Sequence, residues 1–180
     1  YQMIGLNSKS TSSSYSDIDF AMYCQKGGIL HVYEKGSYKG KLGTYSAGAT
    51  IQVVVNDQGK VEYVRNGELL KTSSRQVVYP LYADVSIHDS GGSFSNVHWV
   101  AFSAAGELVV FQSLVGVSSS AGVIKRTKSG SGWNAGAVSQ RAMKSATDTV
   151  RGISAVCDRS DKYQMIGLNS KSTSSSYSDI

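Results

Sequence analysis

The chain has 180 residues, 41% of them hydrophobic and 17% charged, with a single proline, which is the composition of an ordinary globular module and not of a disordered or collagen-like one. Its longest apolar runs, such as residues 51–55 and 108–111, are strand length and fall well short of the ~20 residues of a membrane-spanning helix, so no helical membrane insertion is expected. The net charge of +5 is mild, and the small clusters Lys35, Lys39, Lys41 and Lys125, Arg126, Lys128 read as solvated surface, with no nucleic-acid partner expected.

The first eighteen residues, YQMIGLNSKSTSSSYSDI, return unchanged as residues 163–180, and the offset from Tyr1 to Tyr163 is a period of 162 residues. A unit of about 160 residues buries roughly two-thirds of the surface of its unfolded chain, so each period can be a complete domain. Within residues 1–18 the serine-rich stretch 8–16 reads as a solvated loop. Short segments rich in Val, Ile and Tyr follow at 18–24, 29–34, 50–55, 60–65 and 81–87, each bounded by Gly, Asn, Asp or Ser, and they predict an antiparallel meander. Turns are expected at residues 25–28, at residues 56–59, and at Asn66-Gly67, a pair that tolerates the two positive φ angles of a two-residue hairpin. Pro80 stands where a new strand begins, the position at which a missing N–H costs least. Further strands are predicted at 97–102, 108–115, 123–127 and 149–157. The apolar spacing of 135–146 is poor for a helix, and strand plus loop is preferred there. About a dozen strands exceed what one twisted sheet holds, so the fold class expected is all-β, as two packed antiparallel sheets.

Several stretches carry a resemblance. They are Ile4-Gly5-Leu6 followed by the serine-rich loop and Asp17-Ile18-Asp19-Phe20-Ala21-Met22-Tyr23; Leu30-His31-Val32-Tyr33-Glu34-Lys35-Gly36; Gly43-Thr44-Tyr45-Ser46-Ala47-Gly48; Tyr63-Val64-Arg65-Asn66-Gly67; and Tyr79-Pro80-Leu81-Tyr82-Ala83-Asp84. In this order they resemble the concanavalin A-like lectin/glucanase β-sandwich modules related to SPRY domains. The resemblance implies a concanavalin-like jelly roll. In such modules a GWNAG-type segment comes early, whereas Gly132-Trp133-Asn134-Ala135-Gly136 lies late in this chain. The resemblance therefore implies a chain cut out of phase with its repeat: residues 1–102 form the C-terminal part of one sandwich module, 103–106 a short linker, and 107–180 the N-terminal part of the next. A linker that short favours a stiff array. Residues 108–162 could also fold back onto 1–102 as in a circular permutant, which makes the second copy of the opening strand redundant. Alternatively that copy completes a neighbouring molecule, with Tyr163, Met165, Gly167 and Leu168 pairing between modules.

No catalytic residues are expected. A glycosidase needs two carboxylates across the scissile bond, and Glu34, Glu62, Glu68 and Glu107 are isolated in the sequence. Neither a metal site nor a cofactor is expected, because His31, His88 and His98 lack metal-like spacing, the set Asp84, His88, Asp89 is nonspecific, and the glycines fall singly at turns. Cys24 and Cys157 are expected on strands either side of the Tyr163 strand in one sheet, about 10 Å apart at the usual strand spacing, hence as buried free thiols. Two functional classes follow. The first is a structural repeat whose partners are neighbouring copies of itself, joined head to tail in an extracellular or cell-surface fibre, appendage or adhesin stalk. The second is a lectin-like or SPRY-like module that binds glycans or peptides through Tyr33, Tyr38, Tyr45 and Tyr63 and gains avidity by repetition.

Overall fold

The computed structural model describes residues 4–5, 18–101 and 106–169, and over these the chain is all-β without a helix. The serine-rich stretch 8–16 and Asp17 lie outside the described residues. The strands are β1 (Ile4–Gly5), β2 (Phe20–Gln25), β3 (Ile29–Glu34), β4 (Ser37–Thr44), β5 (Ala49–Val55), β6 (Lys60–Arg65), β7 (Glu68–Gln76), β8 (Leu81–Ile87), β9 (Ser93–Ala101), β10 (Phe111–Val115), β11 (Val117–Ser120), β12 (Val123–Arg126), β13 (Gly136–Met143), β14 (Val150–Cys157) and β15 (Gln164–Asn169). One sheet runs in the order β10, β13, β8, β15, β2, β3, β4, with β1 also pairing with β8; the other runs β11, β12, β9, β14, β5, β6, β7. Both are antiparallel throughout.

Local sequence explains the hairpins. Asn66 and Gly67 take φ of 49° and 82° between β6 and β7, the two positive values that a two-residue turn demands. Between β5 and β6 the Asn56 side-chain oxygen accepts from the Gln58 and Lys60 N–H groups at 3.1 and 3.0 Å, an Asx-type closure. The segment considered for a helix is β13, where pairing with β8 on one side and β10 on the other satisfies the backbone. Strands β4 and β11 have little apolar alternation, since SYKGKLGT and VSSS are largely exposed edge strands held by backbone bonds to β3 and β12.

The two sheets share one core. Met22, Val32, Leu81 and Val85 from the first sheet meet Ile51, Val53, Phe94, Trp99 and Ile153 from the second, all buried, and each such side chain contributes about 1.5–3 kcal/mol. Strand alternation decides which residues enter: on β2, Phe20, Met22 and Cys24 face the other sheet, while Ala21 and Tyr23 face outward into a separate cluster. Residues 103–105, most of the expected linker, lie outside the described residues. On its far side the Glu107 carbonyl accepts from Trp99 N–H at 2.8 Å and Val109 N–H donates to the Val97 carbonyl at 3.0 Å, so residues 107–109 run beside β9.

Polar groups also bridge the sheets. Glu34, 3% exposed on β3, accepts a hydrogen bond from the Tyr63 hydroxyl of β6 at 3.1 Å. Burial first, and then the Glu34 carboxyl, push the Tyr63 phenol well above its ordinary value, and burial does the same for Tyr45 and Tyr79. Because these folded-state values are raised, their stabilising effect is complete below the unfolded phenol value of about 10 and is lost as pH rises beyond it. Urea unfolding followed by tryptophan fluorescence should therefore show stability falling above about pH 10. Tyr63→Phe should make that fall shallower while costing about 1–3 kcal/mol at neutral pH, because the Glu34 carboxyl loses this buried donor.

Candidate functional site

The residues expected to pair between modules form the centre of the first sheet. β15 lies between β8 and β2 and uses both of its edges: Met165 stands opposite Tyr23 and Ser86, Gly167 opposite Ala21 and Asp84, and Leu168 opposite Phe20 and Ala83. Both neighbours belong to the same chain. β1 addresses the same place, with Ile4 opposite Val85 and Gly5 opposite Asp84.

The mouth of this slot is clamped around Tyr163. Its carbonyl accepts from His88 N–H at 3.0 Å, its own N–H donates to an Asp89 carboxylate oxygen at 3.2 Å, and its ring meets His88 edge-on at 5.6 Å. The His88 ring contacts Trp133 at 5.1 Å and its Nδ1 lies 2.7 Å from Asp89 Oδ1. Trp133 sits on a loop that has no regular structure of its own, so something must hold it. Backbone bonds between Gly132 and His88 and between Ser90 and Gly130 tie it to the end of β8, and the side chain that holds it is Arg126, 2% exposed, whose guanidinium donates to the carbonyls of Ile87, Lys128 and Gly132 and to the side-chain oxygen of Asn134. Burial pushes the Arg126 guanidinium below its ordinary value, and the nearby Asp89 partly offsets this. The turn that feeds β15 is tethered as well, because Asp158 accepts from Ser93 and Ser95, Gly27 N–H donates to the Ser160 carbonyl, and the Gln164 amide donates to the Arg159 carbonyl.

Tyr33 and Tyr38 are brought together. They stand opposite each other on β3 and β4, on the outward face of the first sheet, with rings 5.5 Å apart and edge-on. Tyr23 and His31 extend the row: Tyr23 stacks on His31 at 5.2 Å and meets Tyr33 at 5.6 Å, and His31 meets Tyr38 at 5.6 Å. Tyr38 is 55% exposed, so the row is open to solvent at the β4 end. Burial, and then the charge of Lys41, lower the His31 value, which favours the neutral ring, and its Nε2 lies 3.1 Å from the Gln25 side-chain oxygen. Tyr45 and Tyr63 are placed elsewhere. Tyr63 is fully buried against Glu34, and Tyr45 is 6% exposed with its hydroxyl directed to the Gln25 and Arg159 carbonyls at 3.4 Å.

The cysteines are not where strand counting puts them. Cys24 is on β2 and Cys157 on β14, so they belong to opposite sheets and meet across the core, both buried and free, with Sγ atoms 3.2 Å apart. The expected separation of about 10 Å assumed that both lay in one sheet. The β14–β15 connection instead crosses from one sheet to the other. Burial first, and the hydrogen bond with Cys24, push the Cys157 thiol well above its ordinary value.

The glutamates are dispersed. Glu34 is in the core, Glu62 accepts from Asn56, Glu68 pairs with Arg65, and Glu107 pairs with Arg141. Among the described residues no three His, Cys, Asp or Glu side chains are grouped as metal ligands. No family model matches the chain, and neither the curated proteins nor the solved structures include a match to it.

Sequence reasoning missed the clamp of Arg126, His88, Asp89 and Trp133. The available signal was parity: Arg126 lies two residues from buried Ile124 on β12, which places a charged side chain on an inward-facing position. Arg126→Met should leave three carbonyls without this donor and lower stability by about 2–4 kcal/mol in urea unfolding. A red-shifted tryptophan emission in the folded variant would report the release of Trp133, and unchanged stability and emission would show that the loop is held by other contacts.

Proposed function

We propose that the chain is a structural repeat module of a long tandem-array protein, built on a concanavalin-like jelly roll and joined head to tail with neighbouring copies into an extracellular or cell-surface fibre, appendage or adhesin stalk. The observation that carries this reading is the exact return of eighteen residues after 162, a period the size of a domain and unlike that of a solenoid. Two antiparallel sheets whose chain crosses repeatedly between them are compatible with the jelly-roll type. The role is mechanical and interactive, without catalysis, a cofactor, nucleic acid or membrane insertion. Chains of two and four periods, compared by small-angle X-ray scattering, should show a maximum dimension that about doubles, the behaviour of stiffly linked beads. Growth closer to the square root of the period number would overturn the stiff array.

A second reading rests on the row of Tyr38, Tyr33 and His31, open at the Tyr38 end and backed by the buried Tyr23, since aromatic rings with a polar edge suit the faces of sugars and extended peptides. Here the repetition would raise avidity and leave the affinity of each site unchanged. On a glycan array this reading expects saturable binding that Tyr38→Ala reduces about tenfold or more, the loss of about 1.4 kcal/mol of contact. Silence of the parent chain on the array removes the glycan version of it.

A further inference from the structure

A strand has two edges, and those of β8 are claimed three times. One edge is held by β13, with Ala137 opposite Val85 and Val138 opposite Asp84. The other is addressed in one register by two copies of the same sequence: Ile166 and Gly167 of β15 stand opposite Val85 and Asp84, and so do Ile4 and Gly5 of β1. Neighbouring strands lie about 4.8 Å apart, so one edge holds one strand at a time.

We propose that the edge of β8 facing β2 is a strand receptor that either copy of the YQMIGL segment can fill, and that the copy left out can fill the same receptor in a second copy of this chain whose own two strands are withdrawn or disabled. The receptor is built from β2 and β8, both distant in sequence from β15. Its hold on the strand comes from backbone pairing along both edges, six positions with β8 and five with β2. The two candidate strands are identical in sequence, so they differ only in how they are tethered. β15 is fed from β14 through residues 158–163, and β1 leads to β2 through residues 6–19. Those fourteen residues reach at most about 50 Å when extended, enough to cross to a neighbouring molecule. Taking up a strand in this way gives affinity through a complete backbone ladder and removes an open sheet edge. The inference deepens the head-to-tail reading but stands on the pairing alone: a compact multi-period chain in scattering would remove the stiff array and leave the exchange untouched.

The test uses the full chain with proline placed in one copy or both. Proline has no N–H and is not accommodated in a strand paired on both sides. Ile4→Pro and Ile166→Pro should each keep cooperative unfolding with Tm within about 4 °C of the parent, because the intact copy fills the receptor. The double variant should lose about 10 °C or more. A synthetic peptide of residues 163–180 should bind the double variant with about micromolar affinity and restore its Tm, and the same peptide with proline for its isoleucine at position 166 should not. Mixing the parent with the double variant should give a complex of summed mass in sedimentation, as the parent donates its spare copy. Ile166→Pro as damaging as the double variant would overturn the exchangeable receptor, and so would failure of the unmodified peptide to bind. Unmixed monomers would overturn exchange between chains.

Discussion

The architecture depends on the double-edged pairing of β15. A strand from the far end of the described chain is inserted between β2 and β8, and with neither copy of it in that slot the first sheet would divide into β4, β3, β2 on one side and β8, β13, β10 on the other. Because both edges of β15 are used, its backbone groups are satisfied inside the sheet, where an unpaired group would be costly. Much of the surrounding chemistry serves this insertion. Asp89 and His88 hold the Tyr163 backbone, Trp133 covers His88, and Arg126 holds the loop that carries Trp133.

The second requirement is that the two sheets stay in one relative position. Apolar burial supplies most of the attraction but has no direction. Direction comes from groups that can be satisfied in only one arrangement. Glu34 and Tyr63 form one such pair, joining β3 to β6 through a buried hydrogen bond. Cys24 and Cys157 meet where β2 faces β14, and Tyr45 lies nearby with its hydroxyl on the Gln25 and Arg159 carbonyls. Asp158, at the turn between β14 and β15, is bonded by two serines of β9. The chain therefore crosses between the sheets at a place where several elements are already tied together.

Much of the local structure was legible. Strands predicted at 29–34, 60–65 and 81–87 coincide with β3, β6 and β8, and Asn66-Gly67 and Asn56 close their hairpins through backbone preferences of a few neighbouring residues. β4 and β11 were missed because exposed edge strands need no apolar alternation; their order comes from the ladder of the strand beside them. Within the candidate site, strand alternation separates Tyr63, on the face of Val61, from Tyr33, on the face of His31. It does not say which face meets the other sheet. Nor does it reveal that Tyr33 and Tyr38 become ring neighbours, because that is set by the two-residue turn at Lys35 and Gly36, with φ of 49° and 72°, which joins β3 to the unpredicted β4.

The sequence by itself determined the return of eighteen residues at an offset of 162, the identity of the two strand copies, the all-β character and most of the turns, since recurrence, alternation and turn chemistry are readable directly from the residues. Only the tertiary structure decided that both copies address one edge of β8, that the cysteines face each other from opposite sheets, and that Arg126 organises the loop around Trp133. Strand propensity states that a segment will pair but leaves its partner open; the partner is chosen by competition among distant segments for a limited number of backbone edges and for space in one core.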